Sequence, residues 1–305
     1  MNIRDLEYLV ALAEFNHFQR AAEACHVSQP TLSGQVRKLE DELGLKLLER
    51  TTRKVSFTKN GLMLVDQTRA VLRELKILKN MAAMKQNAMP TSLHIGIIPT
   101  IAPYLFPHLS LAIGRKFPKL QLYLHEAKTH QLIDLLEKGK IECAIMSRVR
   151  ETESFVAPLL FEEPMRLAVS KDNPLANRDV IPMSELKGQK LLMLDDGNCL
   201  RWQVKKYCYQ FDADEDTRFQ VTNLETIKSM VAASRGMALV PLLAVSQDKK
   251  DEAIRYLFCV DPEPKRAVVL VFRHGDSLRD RYEQLIVMIR AYMENHFTMK
   301  IVENI

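Results

Sequence analysis

The stretch from His17 to Gly44 constrains this chain more than any other. HFQRAAEACHV carries Ala21, Ala22 and Ala24, small residues that allow a close helix crossing. Ser28 then offers a capping hydroxyl, and Pro30 falls in the first turn of the next helix, where its missing N–H costs little. In QPTLSGQVRKLEDELG, Leu32, Val36, Leu39 and Leu43 form one apolar stripe at spacings of 4, 3 and 4, and Gly44 closes the helix. Its other face carries Gln29, Thr31, Ser33, Gln35 and Arg37. Two short helices joined by a tight turn, the second with groove-reading side chains outward, predict a helix-turn-helix. A preceding amphipathic helix places Leu6, Leu9, Val10, Ala13 and Phe15 along IRDLEYLVALAEF. After it all, Val55 and Phe57 alternate with polar residues in a short hairpin or wing, and Arg50, Arg53, Lys54 and Lys59 suit phosphate contact.

Charge supports this reading without deciding it. The net charge is +5, and residues 1–90 hold 14 Lys and Arg against 10 Asp and Glu, so most of the excess lies in the first third. The pattern alone also fits a small helical domain with a solvated polar helix. The string FQRAAEACHVSQPTLSGQVRKLEDELGLKLLERTTRKVSFTKNG, however, resembles the winged helix-turn-helix of the LysR-type transcriptional regulators. That resemblance implies that Ser28, Gln29, Pro30, Thr31, Ser33 and Arg37 lie on the recognition helix. It places Arg50, Thr51, Arg53 and Lys54 in the wing, and it makes double-stranded promoter DNA the partner.

From Asn60 to Gln86 there is no proline, and Leu64, Thr68, Val71, Leu75, Leu78 and Ala82 keep a heptad seam. Such a seam either pairs two chains or packs on its own domain; pairing is preferred, because two readers match two half-sites. Asn87 to Ser92 reads as a hinge. The expected domains are 1–58, a linker helix and hinge over 59–89, and an effector domain over 90–305.

Beyond the hinge, apolar runs alternate with helical patterns. LHIGII (93–98), LQLYLHEA (120–127) and IECAIMS (141–147) are expected strands, with helices between them. MRLAVS (165–170), KLLML (190–194), RFQVT (218–222) and MALVP (237–241) suggest a second α/β lobe, and AVVLVF (267–272) with a final helix from Ser277 returns to the first. Lobe I would hold about 90–162 and 267–305, and lobe II about 163–266. Ligands of such sheets sit beyond the carboxyl ends of the strands, where Thr100 and Thr129 are expected. Both are also natural helix caps. The expected fold class is thus a multidomain α+β and α/β chain. An N-terminal winged helix-turn-helix leads through the linker helix to a two-lobed, periplasmic-binding-protein-like effector domain, the last by family resemblance.

The five cysteines form no C-x-x-C pair and no His/Cys cluster with zinc spacing, so neither a metal nor another cofactor is expected. Cys25, Cys143 and Cys259 read as buried small hydrophobes. Cys199 and Cys208 differ. Asn198 is a good N-cap, which puts Cys199 at the first helical position, where free N–H groups favour a thiolate. Arg201, Lys205 and Lys206 add positive charge, while Asp195 and Asp196 oppose it. If the segment is helical, nine residues separate the thiols by ~13.5 Å of rise and put them on roughly opposite faces. A disulfide needs Cα atoms within about 7 Å, so this pair would close only if the helix unwinds. The spacing alone favours two unrelated cysteines on one amphipathic segment.

The strings LLMLDDGNCLRWQ, DADEDTRFQVTNLETIKSMVAA, HIGIIPTIAPYLFPH and YLHEAKTHQL resemble the hydrogen-peroxide-sensing members of the same family. This implies that Cys199 is the peroxidatic thiol and Cys208 the resolving one. It implies a peroxide pocket of Thr100, Thr129, Gly197, Asn198, Leu200 and Arg266, the last supporting the thiolate. Relatives carry His before the reactive cysteine and Asp three residues after it; here they are Asn198 and Trp202. The implied partners are promoter DNA, a homo-oligomer built as a dimer of dimers, RNA polymerase, hydrogen peroxide as signal, and thiol reductants such as glutaredoxin. No membrane partner is expected: no window approaches 18 apolar residues and MNIRDLEYLVALAE is no signal peptide, so the expected place is the cytoplasm. Two rival readings are a LysR-type regulator that binds a metabolite between its lobes, and a thiol peroxidase with an accessory DNA-binding domain.

Overall fold

Caps and stripes written in the sequence produce the first helices. In the computed structural model, which describes residues 1–49, 55–84, 92–245, 253–276 and 278–297, the chain divides into two units, Met1–Ala88 and Met89–Ile305. Helix α1 (Ile3–Phe15) opens on a reciprocal box: Asn2 Oδ1 accepts from the Asp5 N–H at 3.1 Å and Asp5 Oδ2 accepts from the Asn2 N–H at 2.8 Å. Helix α2 (Phe18–Ala24) crosses it with Ala21 and Ala22 fully buried. Helix α3 (Gln29–Leu43) ends at Gly44, whose φ of 64° needs a residue without Cβ strain. Tyr8, Leu12, Leu32 and Val36 pack with the two alanines, and Leu9 and Leu39 meet Leu47 and Val65 beside them. Each such buried side chain contributes about 1.5–3 kcal/mol.

Strands β1 (Leu48–Glu49) and β2 (Ser56–Phe57) pair antiparallel, as a wing does. The residues expected in the wing, Arg50, Thr51, Arg53 and Lys54, lie outside the described residues. Helix α4 (Lys59–Met84) starts hard against β1: a Cβ on Gly61 would stand 2.1 Å from the Leu47 carbonyl. Its heptad seam divides. Thr68 is buried in its own unit and Leu64 half-buried, whereas Val71 and Leu78 are exposed. The hinge before Ser92 falls outside the described residues.

The second unit is a sheet with helices on its faces. Strands β3 (Ser92–Ile97), β4 (Gln121–Glu126) and β5 (Cys143–Ser147) are parallel, joined through α5 (Ala102–Lys116) and α6 (Thr129–Glu137). Strand β6 (Leu159–Ser170) is twice the usual length and does two jobs. Its first half pairs with β12 (Lys265–Phe272), and its second half with β10 (Ala238–Pro241) and β11 (Ile254–Val260). The run MRLAVS is therefore only the far half of a strand that starts six residues earlier, because Leu160 and Phe161 are as buried as Leu167. Strand β7 (Val180–Pro182) completes the order β4-β3-β5-β12-β6-β11-β7. A second core gathers around Met165, Leu167, Ile181, Leu200, Ile227 and Val240.

Two short strands, β8 (Lys190–Leu191) and β9 (Asp214–Glu215), flank helix α7 (Cys199–Gln210), and α8 (Leu224–Ala232) follows. The expected strand RFQVT is not one. Asp216 draws Arg218 into a local turn, with the Arg218 N–H and Nε both on Asp216 Oδ1, and only Val221 bridges Leu194. Helix α9 (Arg279–His296) closes the chain, with Tyr282, Ile289 and Met293 buried. Among the described residues no helix is long and apolar enough to cross a membrane.

Candidate functional site

On the first unit, Ser28 Oγ accepts from the Thr31 N–H at 3.3 Å and shares a hydrogen with Thr31 Oγ1 at 2.7 Å. The cap pins the start of α3 while its stripe faces inward. Ser28, Pro30, Thr31 and Arg37 are exposed, and Gln29 and Ser33 are half-buried. A polar face of these types on a buried-stripe helix can lie in a major groove.

On the second unit, the chemistry centres on α7. Asn198 caps it, Oδ1 accepting from the Leu200 N–H at 3.1 Å, and Cys199 is the first helical residue. Gly197 sits at φ 82°, which turns the chain into the helix. Cys199 and Cys208 are both free thiols and both buried, at 8% and 4% exposure, although half a turn apart around the helix axis. Cys208 packs with Leu200 and Val204 in the second core. Burial, with Asp214 and Glu215 nearby, pushes its thiol up to about 11. Burial likewise raises Cys143 and Cys259, as inert packing thiols require, and it raises Cys25 too, although that residue is only half-buried at the end of α2.

Two expectations about the surroundings are corrected. Thr100 and Thr129 are not helix caps: Ile101 precedes α5, and Thr129 is the first residue of α6, behind Lys128. Both hydroxyls are therefore free of capping. Nor is Arg201 a spare cation for the thiol. It forks onto Glu215 at 2.5 and 2.8 Å, reaches Asp196 at 2.9 Å and donates to the Leu194 carbonyl. Lys205 instead rides over the exposed rings of Trp202 and Tyr209.

Arg266 is wholly buried. Its Nε donates to Glu163 Oε2 at 2.7 Å, Nη1 to Thr100 Oγ1 at 2.8 Å and Nη2 to the Thr100 carbonyl at 3.2 Å. The other oxygen of Glu163 accepts from the Leu243 N–H at 2.8 Å. Because Thr100 Oγ1 accepts from Arg266, its own hydrogen is left to donate. Thr129 Oγ1 is buried with no protein partner. The turn before Cys199 meets the start of α6: a Cβ on Gly197 would stand 3.6 Å from the Lys128 stem and 4.0 Å from His130. Thr129 lies between those two residues in sequence. Sequence reasoning missed Glu163 and Lys128, which no local motif marks.

A capped reader helix followed by a two-lobed effector domain defines a class. The bacterial regulatory helix-turn-helix model of the lysR family matches residues 3–62, and the LysR substrate-binding domain model matches residues 87–294. The chain belongs to the LysR family of bacterial regulators. It is 58% identical over 297 residues to the DNA-binding transcriptional dual regulator OxyR of Escherichia coli K12, covering 97% of each chain. It is 53% identical over 285 residues to a hydrogen peroxide-inducible genes activator of Haemophilus influenzae, covering 93% of this chain and 95% of that one. Among solved structures, a full-length OxyR variant from Pseudomonas aeruginosa superposes with a TM-score of 0.79 at 34% identity, covering 95% of each chain.

Proposed function

We propose that this chain is a DNA-binding transcriptional regulator that senses hydrogen peroxide through a reversible disulfide between Cys199 and Cys208. The observation that carries it is the pairing of those thiols on one intact helix: Cys199 at its N-terminus beside a turn packed on α6, Cys208 buried nine residues on. Likeness to relatives named for peroxide induction supports the signal.

The chemistry balances in two steps. The Cys199 thiol gives its proton to solvent, and the thiolate attacks one peroxide oxygen. An S–O bond forms as the O–O bond breaks, sulfur is oxidised to sulfenic acid, and hydroxide leaves to take up a proton. The Cys208 thiol then gives up its proton and attacks that sulfur; an S–S bond forms, the S–O bond breaks, and the oxygen leaves as hydroxide, which takes up a proton to become water. The proposed pocket is Thr100, Thr129, Gly197, Asn198, Leu200 and Arg266. Thr100 donates its free hydrogen, the partnerless Thr129 oxygen accepts, and Arg266 with Glu163 fixes Thr100 in place.

Closing the disulfide requires α7 to unwind, since helical geometry holds the Cα atoms too far apart. Oxidation thus exchanges one fold of residues 199–208 for another, a two-state element set by chemistry. The output is the grip on promoter DNA, through Ser28, Gln29, Pro30, Thr31, Ser33 and Arg37 and the wing residues Arg50, Thr51, Arg53 and Lys54. The proposed assembly is a dimer of dimers, using the exposed Val71 and Leu78 of α4, and its proposed place is the cytoplasm. RNA polymerase is the proposed recipient of the signal, and thiol systems such as glutaredoxin the proposed reset. The chain acts as a regulator, consuming one peroxide per switch. Mass spectrometry after a low peroxide dose tests this: a Cys199–Cys208 linked peptide is expected, and its absence refutes the redox reading.

A further inference from the structure

One side chain joins the turn before Cys199 to the helix that begins at Thr129. Lys128 Nζ lies 2.7 Å from Asp195 Oδ2 and donates to the Asp196 carbonyl at 2.9 Å. Both side chains are mostly shielded, at 29% and 27% exposure, so salt screens the pair less than a surface one. The stem of Lys128 runs along Gly197, 3.6 Å from where a Cβ there would stand, which is ordinary van der Waals contact. Two oxygens on the segments it joins, Thr129 Oγ1 and Asp195 Oδ1, are buried without a protein hydrogen-bond partner.

The other bonds of the turn look the opposite way. The Asp195 N–H donates to the Val221 carbonyl, and Arg201 holds Asp196, so both tie the turn to the surroundings of α7. Lys128 ties it to α6. A lone, partly shielded ion pair contributes only modestly to overall stability, so its effect lies in geometry. Cys199 is the first residue after the capped turn, and its place relative to Thr129 follows from where the turn is held.

We propose that Lys128 is a positioning residue for the oxidation of Cys199, a role that rests on the peroxide-sensing reading. Its ammonium latches the turn to α6, so that the sulfur and the Thr129 hydroxyl keep one register. It adds no bond-making step of its own.

The test uses full-length reduced protein in a Cys208→Ser background, where the reaction stops at the sulfenic acid. Cys199 sulfenate is trapped with a dimedone-type reagent at intervals after hydrogen peroxide is added and read by mass spectrometry. Lys128→Ala is expected to slow sulfenate formation on the order of 10-fold, as a small misplacement of reacting groups does. Lys128→Arg should recover most of the rate. The double variant Lys128→Asp with Asp195→Lys should react faster than either single change. An unchanged rate in Lys128→Ala overturns the latch, as does a swap no better than its singles. If the protein with Lys128 intact forms no sulfenate at all, the peroxide-sensing reading itself falls, which is a different result.

Discussion

Helices α3 and α7 both start from a polar cap, Ser28 Oγ on the Thr31 N–H and Asn198 Oδ1 on the Leu200 N–H, yet they are held in different ways. In α3 the apolar side chains Leu32, Val36 and Leu39 anchor successive turns, and Gly44 seals the far end. In α7 the buried residues are Cys199, Leu200, Val204 and Cys208, so aliphatic anchors hold the first and middle turns while a thiol stands near each end. Its outer face shows Trp202 and Tyr209 to solvent with Lys205 between them. Under the proposed function α3 must keep one shape to read DNA, whereas α7 must be able to lose its shape at moderate cost. The different anchoring of the two capped segments fits those opposite needs.

The largest expected effect separates the helices by chemistry. Cys199→Ser should abolish the peroxide-dependent disulfide and leave the DNA footprint of reduced and peroxide-treated protein identical, while DNA binding itself persists. A footprint that still changes with peroxide would break the assignment of the signal to α7.

Core truncations come next. Leu32→Ala should destabilise the first unit by about 2–5 kcal/mol, a cavity cost, and weaken operator binding in gel-shift titration. Val204→Ala should lower the thermal stability of the reduced protein, but also speed disulfide formation, because it loosens the state that oxidation must leave. Equal disulfide rates in Val204→Ala and the parent would mean that α7 does not gate the reaction.

Cys208 adds a pH dependence with a definite sign. Burial raises its thiol from an ordinary 9.0 to about 11 in the folded protein. The folded state therefore keeps a proton that the unwound segment releases. The stabilisation from the neutral buried thiol is present in full below pH 9 and is lost as pH rises towards 11. Iodoacetamide labelling of Cys208 should accelerate across that window more steeply than labelling of Cys208 in denatured protein. A parallel profile would refute its burial.

The smallest effects compare the caps themselves. Ser28→Ala and Asn198→Ala should each cost about 1 kcal/mol of helix stability. The first should show in operator affinity with the disulfide rate unchanged, the second in the disulfide rate with affinity of the reduced form unchanged. Crossed outcomes would mean that the units do not divide reading and sensing between α3 and α7.

Much of this was legible in the residues. Asn198 before Cys199, Ser28 before Pro30, Gly44 after Leu43 and the Leu32–Val36–Leu39 stripe are local signals, and each element formed where they stand. Local reading failed where a turn competed with a strand, as at Arg218, whose pairing with Asp216 bends a β-like run. It also failed for Thr100 and Thr129, whose suitability as caps said nothing of where the helices begin. Arg201 looked like a free cation because its partner Glu215 lies on a strand that the sequence did not announce.

By itself, then, the sequence determined the helices that start after Ser28 and Asn198 and their caps, that residues 28–44 carry an apolar stripe with a polar face opposite, and that one helix carries two thiols it cannot join. Caps and periodicity act over a few residues, and those residues are adjacent in the chain. The tertiary structure alone decided what surrounds the thiols. Glu163 meets Arg266 across 103 positions and Lys128 meets Asp195 across 67, separations bridged by strand pairing and helix packing. It also decided that Cys199 and Cys208 are both buried although they point to opposite sides of α7, since different parts of the fold cover the two sides.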